Sequence, residues 1–464
     1  MAEDREFDIK YPKTATNRGG RFWVNPLNLI AARSKFRMDR SSQWRDVNER
    51  SIPPTPLSPG QEPRTRSFKE LLPSHKPGDA IRAVILGDSG EGDHSQYGLV
   101  PLIRALKPHF MIIDGDVAYP AGQRTDYIEG FFEPYNDLGI PIWAVPGNHE
   151  YYSPNKGREF VDVFCTRKYV NEWKRFGLRF VPQPGTYWEL SDSSIPPDSK
   201  ITNVSFIGID SGHSGNLDSD ESSDAKQMEW LGERLLAAEK ENRKVILLFH
   251  IPILVSGELD SAPQLRQLHK LIASSNRVKA VICGHIHNFQ AYERSVFGKA
   301  LCEITGEQVD SEPPAYFVSG GGGAYLAVPP KSKGLTYPIH AMYPDVDQWR
   351  GQAAENLWQG TISHVRRGIA KVKLSQSGID RLFASMQEGA LEDADKPSLL
   401  SLLYVEINQN GATITPVFLS DLSKLYPDEV ELISIRNTNP PPDSGLVENC
   451  KQNNPEINDL TVKV

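Results

Sequence analysis

Short apolar runs that end at a glycine and a polar residue recur along the middle of this chain. Ala80–Leu86 runs into Gly87-Asp88, and Pro141–Val145 runs into Gly147-Asn148. Runs of this kind, separated by segments with helical spacing such as Tyr97–Lys107, are typical of strands alternating with helices and predict an α/β fold. Because parallel strands present their carboxyl ends at one edge of a sheet, we expect the polar residues to gather there.

The same alternation of apolar runs and segments with helical spacing predicts the remaining elements. Further strands are expected at His109–Ile113, Val204–Ile209, Val245–Phe249, Val278–Cys283 and Ala315–Ser319, and helices at Thr125–Leu138, Asp224–Glu241 and Ala262–Ala273. One face of the helix at Asp224–Glu241 collects Met228, Leu231, Leu235 and Ala238. Leu402–Ile407 and Ala412–Leu419 flank an Asn- and Gly-containing turn, which predicts a β-hairpin.

Composition divides the chain into three predicted parts. Residues 1–78 form a basic, proline-rich extension, residues 79–425 a folded domain, and residues 426–464 a polar tail, loose from residue 435 onward. Residues 1–80 carry 15 Lys and Arg against 10 Asp and Glu, whereas the whole chain has a net charge of −8. This balance does not suit binding to nucleic acid or to an anionic membrane. The charged start and the short apolar runs predict a cytoplasmic protein without a signal peptide or a membrane span.

Potential metal ligands stand at the predicted strand ends. They are Asp88, Asp116, Tyr119, Asn148, His250, His285 and His287. Two neighbouring cations need a bridging carboxylate and several neutral nitrogen or oxygen ligands. Each residue alone is more simply explained as a turn, a helix cap or a packed side chain. Together, in this order and mostly beside glycines that let the backbone come close, they predict a dinuclear metal centre.

The motifs resemble those of a known family. Five blocks carry the resemblance: Gly87-Asp88-Ser89-Gly90, Gly115-Asp116-Val117-Ala118-Tyr119, Gly147-Asn148-His149-Glu150, Phe249-His250 and Gly284-His285-Ile286-His287. They resemble the blocks of the calcineurin-like metallophosphoesterases, over about residues 80–325. The resemblance implies a four-layer αββα sandwich, in which two packed mixed β-sheets are flanked by helices. It also implies a hydrolase of phosphate esters.

Two positions resemble the purple acid phosphatase branch. Most of the superfamily has a histidine where this chain has Gly90, and Tyr119 stands where that branch places a tyrosinate. The resemblance implies Fe(III) at the first site and Zn, Mn or Fe(II) at the second. The first site would take Asp88, Asp116, Tyr119 and His287. The second would take Asp116 as the bridge, with Asn148, His250 and His285.

The same resemblance implies a mechanism, with one departure. A hydroxide bound to metal would attack phosphorus in line, while His149 would bind the phosphate and is one candidate for the acid that protonates the leaving oxygen. The branch carries a further catalytic histidine shortly after the position of His250. Here the stretch after His250 contains none, and Glu258 and Asp260 are the nearest titratable residues. His94 and His213, near the motifs, are interpreted as surface residues.

Two other functions stay open on the sequence. A phosphodiesterase acting on a cyclic nucleotide or a nucleic-acid end would use the same ligands, although such enzymes usually keep the histidine that is missing at Gly90. A non-catalytic scaffold with this fold would be expected to have lost ligands, and here every matching position is filled. We expect a small-molecule phosphate ester as the partner, without a membrane and without nucleic acid.

Overall fold

The computed structural model describes residues 64–92, 94–152, 157–193, 195–211, 223–259, 265–306, 309, 312–324, 335–343, 400–418 and 460–464. The strands within them are β1 (Thr65–Arg66), β2 (Ile81–Leu86), β3 (Phe110–Asp114), β4 (Ile142–Val145), β5 (Trp188–Leu190), β6 (Val204–Ile209), β7 (Lys244–Phe249), β8 (Leu254–Val255), β9 (Glu258–Leu259), β10 (Val278–Cys283), β11 (Phe289–Tyr292), β12 (Ala315–Ser319), β13 (Ala341–Tyr343), β14 (Ser401–Asn408), β15 (Gly411–Phe418) and β16 (Val462–Lys463). The helices are α1 (Phe68–Leu71), α2 (His94–Leu106), α3 (Arg124–Tyr127), α4 (Arg158–Phe164), α5 (Val170–Arg175), α6 (Ser223–Lys240), α7 (Arg266–Ser274) and α8 (Arg294–Thr305). Single turns of π-helix at Ile128–Phe132 and of 3₁₀-helix at His149–Tyr151 and Pro197–Ser199 complete the set.

The strands form two mixed sheets and a separate small hairpin. One sheet has the order β1-β5-β6-β7-β10-β12-β11-β13, and the other has the order β16-β15-β14-β2-β3-β4. Strands β6, β7, β10 and β12 pair in parallel in the first sheet, as β2, β3 and β4 do in the second. The predicted carboxyl-end edge therefore exists in both sheets.

Alternating residues divide the larger sheet between two cores. In β7, Ile246 and Leu248 belong to the core shared with the second sheet, whereas Val245, Leu247 and Phe249 belong to the core under α6, α7 and α8. This period of two is what a strand buried on both faces requires. Helices α2, α4 and α5 contribute buried residues to the first core. The predicted four-layer αββα sandwich of two packed mixed sheets with flanking helices is confirmed.

Most predicted elements are confirmed to within a few residues. The four apolar residues predicted to share a face of the helix now named α6 are all buried in one core. The predicted hairpin is β14–β15, with Asn408 paired to Gly411 across the turn. The predicted helix at Thr125–Leu138 is wrong in extent: α3 is one turn long, and after a turn of π-helix the chain continues as turns.

Both ends of the described chain take part in the fold. Glu70 caps α1 reciprocally with Ser67, and Phe68 is fully buried in the core. These residues precede the predicted domain start at residue 79. The predicted loose tail is wrong at its end, because β16 pairs with β15. The rest of the predicted extension and tail, residues 1–63 and 426–459, lies outside the described residues, and the domain division stays a prediction.

A buried ionic network fixes β1 to its neighbours. Glu189, in β5, lies fully buried and accepts hydrogen bonds from Arg243 Nη1 at 2.7 Å and Thr65 Oγ1 at 3.1 Å. Arg234 of α6 lies 3.9 Å from the same carboxylate. Arg243 also contacts the Ser205 hydroxyl on β6. Three strands and a helix are thereby joined at one charged group.

Helices long and apolar enough to span a bilayer are absent from the described part of the chain.

Candidate metal centre

The polar residues of five strand ends meet at one place between the sheets. Asp88, Asp116 and Asn148 follow β2, β3 and β4 in one sheet, and His250 and His285 follow β7 and β10 in the other. A Cβ at any of the glycines before four of these blocks (Gly87, Gly115, Gly147 and Gly284) would lie 2.0–2.7 Å from a side-chain atom of Asp88, Asp114, Asp116 or His250. These glycines let the backbone pass close to those side chains.

One group of donors surrounds the hydroxyl of Tyr119. This oxygen lies 3.2 Å from Asp88 Oδ1, 3.1 Å from Asp116 Oδ2 and 3.1 Å from His287 Nε2. The ring of Tyr119 is 1% exposed and both carboxylates are buried. Two buried carboxylates this close repel each other unless a positive charge lies between them, so the group fits a cation.

A second group shares Asp116 with the first. Its Oδ2 atom lies 3.2 Å from His250 Nε2, and His250 Nε2 lies 3.1 Å from the amide oxygen of Asn148. The rings of His250 and His285 are 5.1 Å apart. Ligand atoms of Asp116, His250 and His285 lie within 4.8 Å of one another, as do those of Asp88, Asp116 and His287. The structure therefore brings all seven predicted ligand residues together, in two groups that share one carboxylate.

The charged groups of the cluster shift one another's pKa values. Burial opposes protonation of His250, but the Asp116 carboxylate raises its pKa to about 10. Burial would raise the pKa of Asp116, but the charges on His250 and His149 hold it well below its usual value. Burial and the charge on His250 lower the pKa of His285 to about 4. The pattern shows that the carboxylates stabilise positive charge at this position.

His149 stands beside both groups with its ring held on several sides. Its Nδ1 atom lies 2.7 Å from the carbonyl oxygen of Pro120, which can only accept, so Nδ1 donates and Nε2 is left to the site. Its Nε2 atom is 3.9 Å from Asp116 Oδ2. The rings of Tyr119 and Tyr152 lie 4.4 Å and 4.7 Å from its ring. Burial lowers the pKa of His149, against the opposing charge of Asp116.

Supporting residues that the sequence did not single out orient the predicted ligands. The carbonyl of Asp114 accepts from His250 Nδ1 at 3.0 Å, which turns Nε2 toward the cluster. Glu150 accepts from Ala118 N at 3.0 Å and from Gly147 N at 2.6 Å, so it joins the second and third motif blocks. Glu150 lies in the third motif block, so its position in the sequence could have identified it as a supporting residue. Nothing in the sequence pointed to the carbonyl of Asp114.

Three of the predicted ligand residues adopt backbone conformations that side chains usually avoid. Asp88, Asp116 and His285 have φ values of 58°, 49° and 72°. The backbone N–H of His285 donates to Asp88 Oδ2 at 2.7 Å, and that of His149 donates to Asp116 Oδ1 at 2.9 Å. These bonds hold the loops in the left-handed region, a strain of the kind found at functional sites.

Other residues considered from the sequence lie elsewhere. Glu258 is exposed on the β8–β9 hairpin and accepts from Thr336 Oγ1 at 3.0 Å. Asp260 and His213 lie outside the described residues, and the side chain of His94 is not described.

The fold and the paired donor groups define a two-metal α/β protein. Residues 81–289 match the family model of the calcineurin-like phosphoesterases, and this segment contains all seven predicted ligands. Over this segment, a little under half of the 464 residues, the chain is similar to the calcineurin-like phosphoesterases.

Curated relatives cover part of the chain. The 3′,5′-cyclic adenosine monophosphate phosphodiesterases CpdA of Escherichia coli K12 and O157:H7 are each 26% identical over 201 residues, which is 40% of this chain and 58% of theirs. The chain therefore spans less than two thirds of the length of these relatives.

Two solved structures are among those that the chain resembles. The structure titled GAP50, the anchor in the inner membrane complex of Plasmodium, has 14% identity and a TM-score of 0.41, covering 73% of this chain and 85% of its own. A dimetal phosphatase from Danio rerio has 14% identity and a TM-score of 0.34, covering 52% and 87%.

Proposed function

We propose that this protein is a dinuclear metal-dependent phosphomonoesterase of the purple acid phosphatase type. The observation that carries the proposal is the position of the Tyr119 hydroxyl, 3.1–3.2 Å from Asp88, Asp116 and His287. A phenol placed among two carboxylates and an imidazole suits a phenolate ligand to a hard trivalent ion.

The ligand assignment follows the two donor groups. Asp88, Asp116, Tyr119 and His287 would hold Fe(III) at the first site. Asn148, His250 and His285, with Asp116 as the bridge, would hold Zn, Mn or Fe(II) at the second. Metal ions bound there would supply the positive charge that acidifies an attached water and neutralises the phosphoryl oxygens.

The chain's own residues then orient the ester. Pro120 and two tyrosine rings fix the imidazole of His149 with Nε2 facing the site. Because Nδ1–H is held by Pro120, Nε2 carries a proton only in the imidazolium, and in that form His149 would bind a phosphoryl oxygen and deliver the proton to the leaving oxygen. Its backbone N–H bond to Asp116 survives replacement of the side chain. His149→Ala should therefore lower kcat about 100-fold and leave both metals bound. Unchanged turnover would rule out this role.

The test of the proposal is the visible spectrum of the purified protein after oxidation, with Tyr119→Phe beside it. A violet charge-transfer band in the native protein that is lost in Tyr119→Phe would support tyrosinate ligation to Fe(III). Tyr127→Phe is the matched control, because Tyr127 is fully buried and its hydroxyl has no hydrogen-bond partner within the described residues. A colourless, iron-free native protein would overturn the assignment.

The bridging role of Asp116 has its own measurement. Asp116→Asn removes the charge shared by both groups, so both metals should be lost together when metal content per chain is counted. Loss of one metal alone would contradict a bridge at this position.

A phosphodiesterase is the second candidate, and the similarity to the cyclic-nucleotide phosphodiesterases CpdA favours it. The glycine at position 90 opposes it, since diesterases of the superfamily usually carry a histidine there. Rates on p-nitrophenyl phosphate and bis(p-nitrophenyl) phosphate separate the two: a faster monoester supports the phosphatase, and a faster diester replaces it. Cytoplasmic location stays a prediction.

A further inference from the structure

Tyr152 contacts two consecutive residues of the centre with different parts of its side chain. Its hydroxyl accepts a hydrogen bond from Asn148 Nδ2 at 2.7 Å. Its ring lies 4.7 Å from the imidazole of His149, tilted by 55°. No motif block contains this residue, and its side chain is half-buried.

The contact with the Tyr152 hydroxyl determines whether the oxygen or the NH₂ group of the Asn148 amide faces the centre. An amide can ligate a cation through its oxygen and not through its NH₂ group, so a rotated amide would be useless as a ligand. With Nδ2 bonded to Tyr152, Oδ1 points inward and lies 3.1 Å from His250 Nε2. A hydrogen bond to the far side of a ligand is how proteins usually fix ligand orientation.

The ring contact bears on the neighbouring imidazole. Tyr119 covers one side of His149 at 4.4 Å, and the carbonyl of Pro120 holds Nδ1. The Tyr152 ring is a further aromatic neighbour, at 4.7 Å. Without it, His149 keeps its hydrogen bond but loses a ring that limits its tilt.

We propose that Tyr152 is a positioning residue with two separable parts: its hydroxyl orients Asn148 for the second metal, and its ring orients His149 toward the substrate. The inference rests on the proposed function for the His149 part. The Asn148 part requires only that the centre binds metal. The two roles of Tyr152 can therefore be refuted separately.

The experiment compares Tyr152→Phe and Tyr152→Leu in the metal-loaded protein. Each variant is dialysed against rising concentrations of a chelator, and both metals are counted per chain. Tyr152→Phe should lose the second metal at about 10-fold lower chelator concentration than the native protein, while retention of the first metal is unchanged. With the second metal saturating, its kcat should stay within about 2-fold of native, since the ring remains.

Tyr152→Leu should show the same metal loss and, in addition, a kcat lowered about 10-fold at saturating metal. Tyr169→Phe is the matched control, because it removes a tyrosine hydroxyl that bonds Glu159 at 3.0 Å and touches no ligand. Equal retention of both metals in Tyr152→Phe and native protein, or equal loss of both metals, would overturn the hydroxyl role. Equal kcat values for the Phe and Leu variants would overturn the ring role. A native chain that binds two metals but hydrolyses no phosphate ester would refute the proposed function and leave the Asn148 role to be judged by metal retention.

Discussion

At position 90 the backbone leaves no space for a side chain. A Cβ there would lie 2.0 Å from the carbonyl oxygen of Val117 and 2.6 Å from the nitrogen of Ala118. Tyr119 N donates to the carbonyl of Gly90 at 3.0 Å, so the first and second motif blocks pack backbone against backbone. The histidine usual in the superfamily could not be restored here without moving the loop that carries Tyr119.

Gly90→Ala should therefore destabilise the fold by about 1–3 kcal/mol or more and reduce metal content, since the clash is with main chain that cannot rotate away. Thermal unfolding and metal analysis measure the two effects. Gly139→Ala is the control: with a φ of 67° and no atom within 4 Å of the added Cβ, it should cost only about 1–2 kcal/mol of backbone strain. It should keep both metals. A Gly90→Ala protein as stable and as metal-rich as the native one would contradict the packing argument.

Single residues also mark the limit of what the sequence could predict at the centre. Seven ligand candidates could be found because each follows a strand end, and strand ends are visible as apolar runs that stop. Tyr152 and the carbonyl of Asp114 could not be found, because their contacts depend on side-chain rotamers and on how two sheets meet. Asp88 and His285 are 197 positions apart, and only the packed fold shows the bond between them.

Among the elements, the short strand β1 illustrates why some structure escaped prediction. Two residues carry no periodic signal, and β1 forms because β5 and the buried Glu189 supply its pairing partners. The strands β5, β11 and β13 are likewise brief and are specified by their neighbours. Strands such as β6 and β10, six residues of nearly continuous apolar character, were predicted with the correct bounds.

Removing the partner of a buried charge should weaken this part of the fold. Arg243→Ala leaves Glu189 without its 2.7 Å contact and should lower the free energy of unfolding by about 3–5 kcal/mol. Adding Glu189→Gln should recover part of the loss, because the uncompensated charge is then gone. Arg124→Ala breaks a largely exposed pair with Glu172 and, as the surface control, should cost less than about 1 kcal/mol. Denaturant unfolding compares them, and equal losses for Arg243 and Arg124 would contradict the argument.

Helix α6 contains the opposite case, a glycine at a position where a side chain would fit. Gly232 lies inside the helix, and among the described residues a Cβ there would meet only Leu271 Cδ2, at 3.7 Å, an ordinary van der Waals distance. Gly232→Ala should raise the free energy of unfolding by about 0.5–1 kcal/mol, since alanine restricts the unfolded chain and suits a helix. A lower melting temperature would show that the α6–α7 contact has no room for the methyl group.

For the molecule as a whole, acid should act through a buried histidine that belongs to none of the motif blocks. His269 of α7 is fully buried, and neither ring nitrogen has a hydrogen-bond partner within the described residues. Burial and the charge on Arg266 lower its pKa to about 3, whereas in an unfolded chain it is about 6.5. The unfolded chain then binds the proton more readily. Stability is complete above pH about 6.5 and falls toward pH 3, with a slope of up to about 1.4 kcal/mol per pH unit.

His269→Leu should flatten this loss, because the titrating group is removed and the apolar surroundings are kept. Urea unfolding at pH 7 and pH 4.5 gives the comparison, with His75→Gln at a half-buried surface position as the control. An unchanged difference between the two pH values would assign the acid sensitivity to other groups.

The strained left-handed backbone at Asp88, Asp116 and His285 implies that substitutions there can raise the melting temperature while they lower turnover. Glycine at any of these positions relieves backbone strain, and at the two aspartates it also removes charge repulsion, while each change deletes a proposed ligand. A mutant library ranked only by survival after heating would therefore enrich variants that no longer bind metal or turn over substrate. Engineering this protein for durability calls for a counter-screen on bound metal at every round.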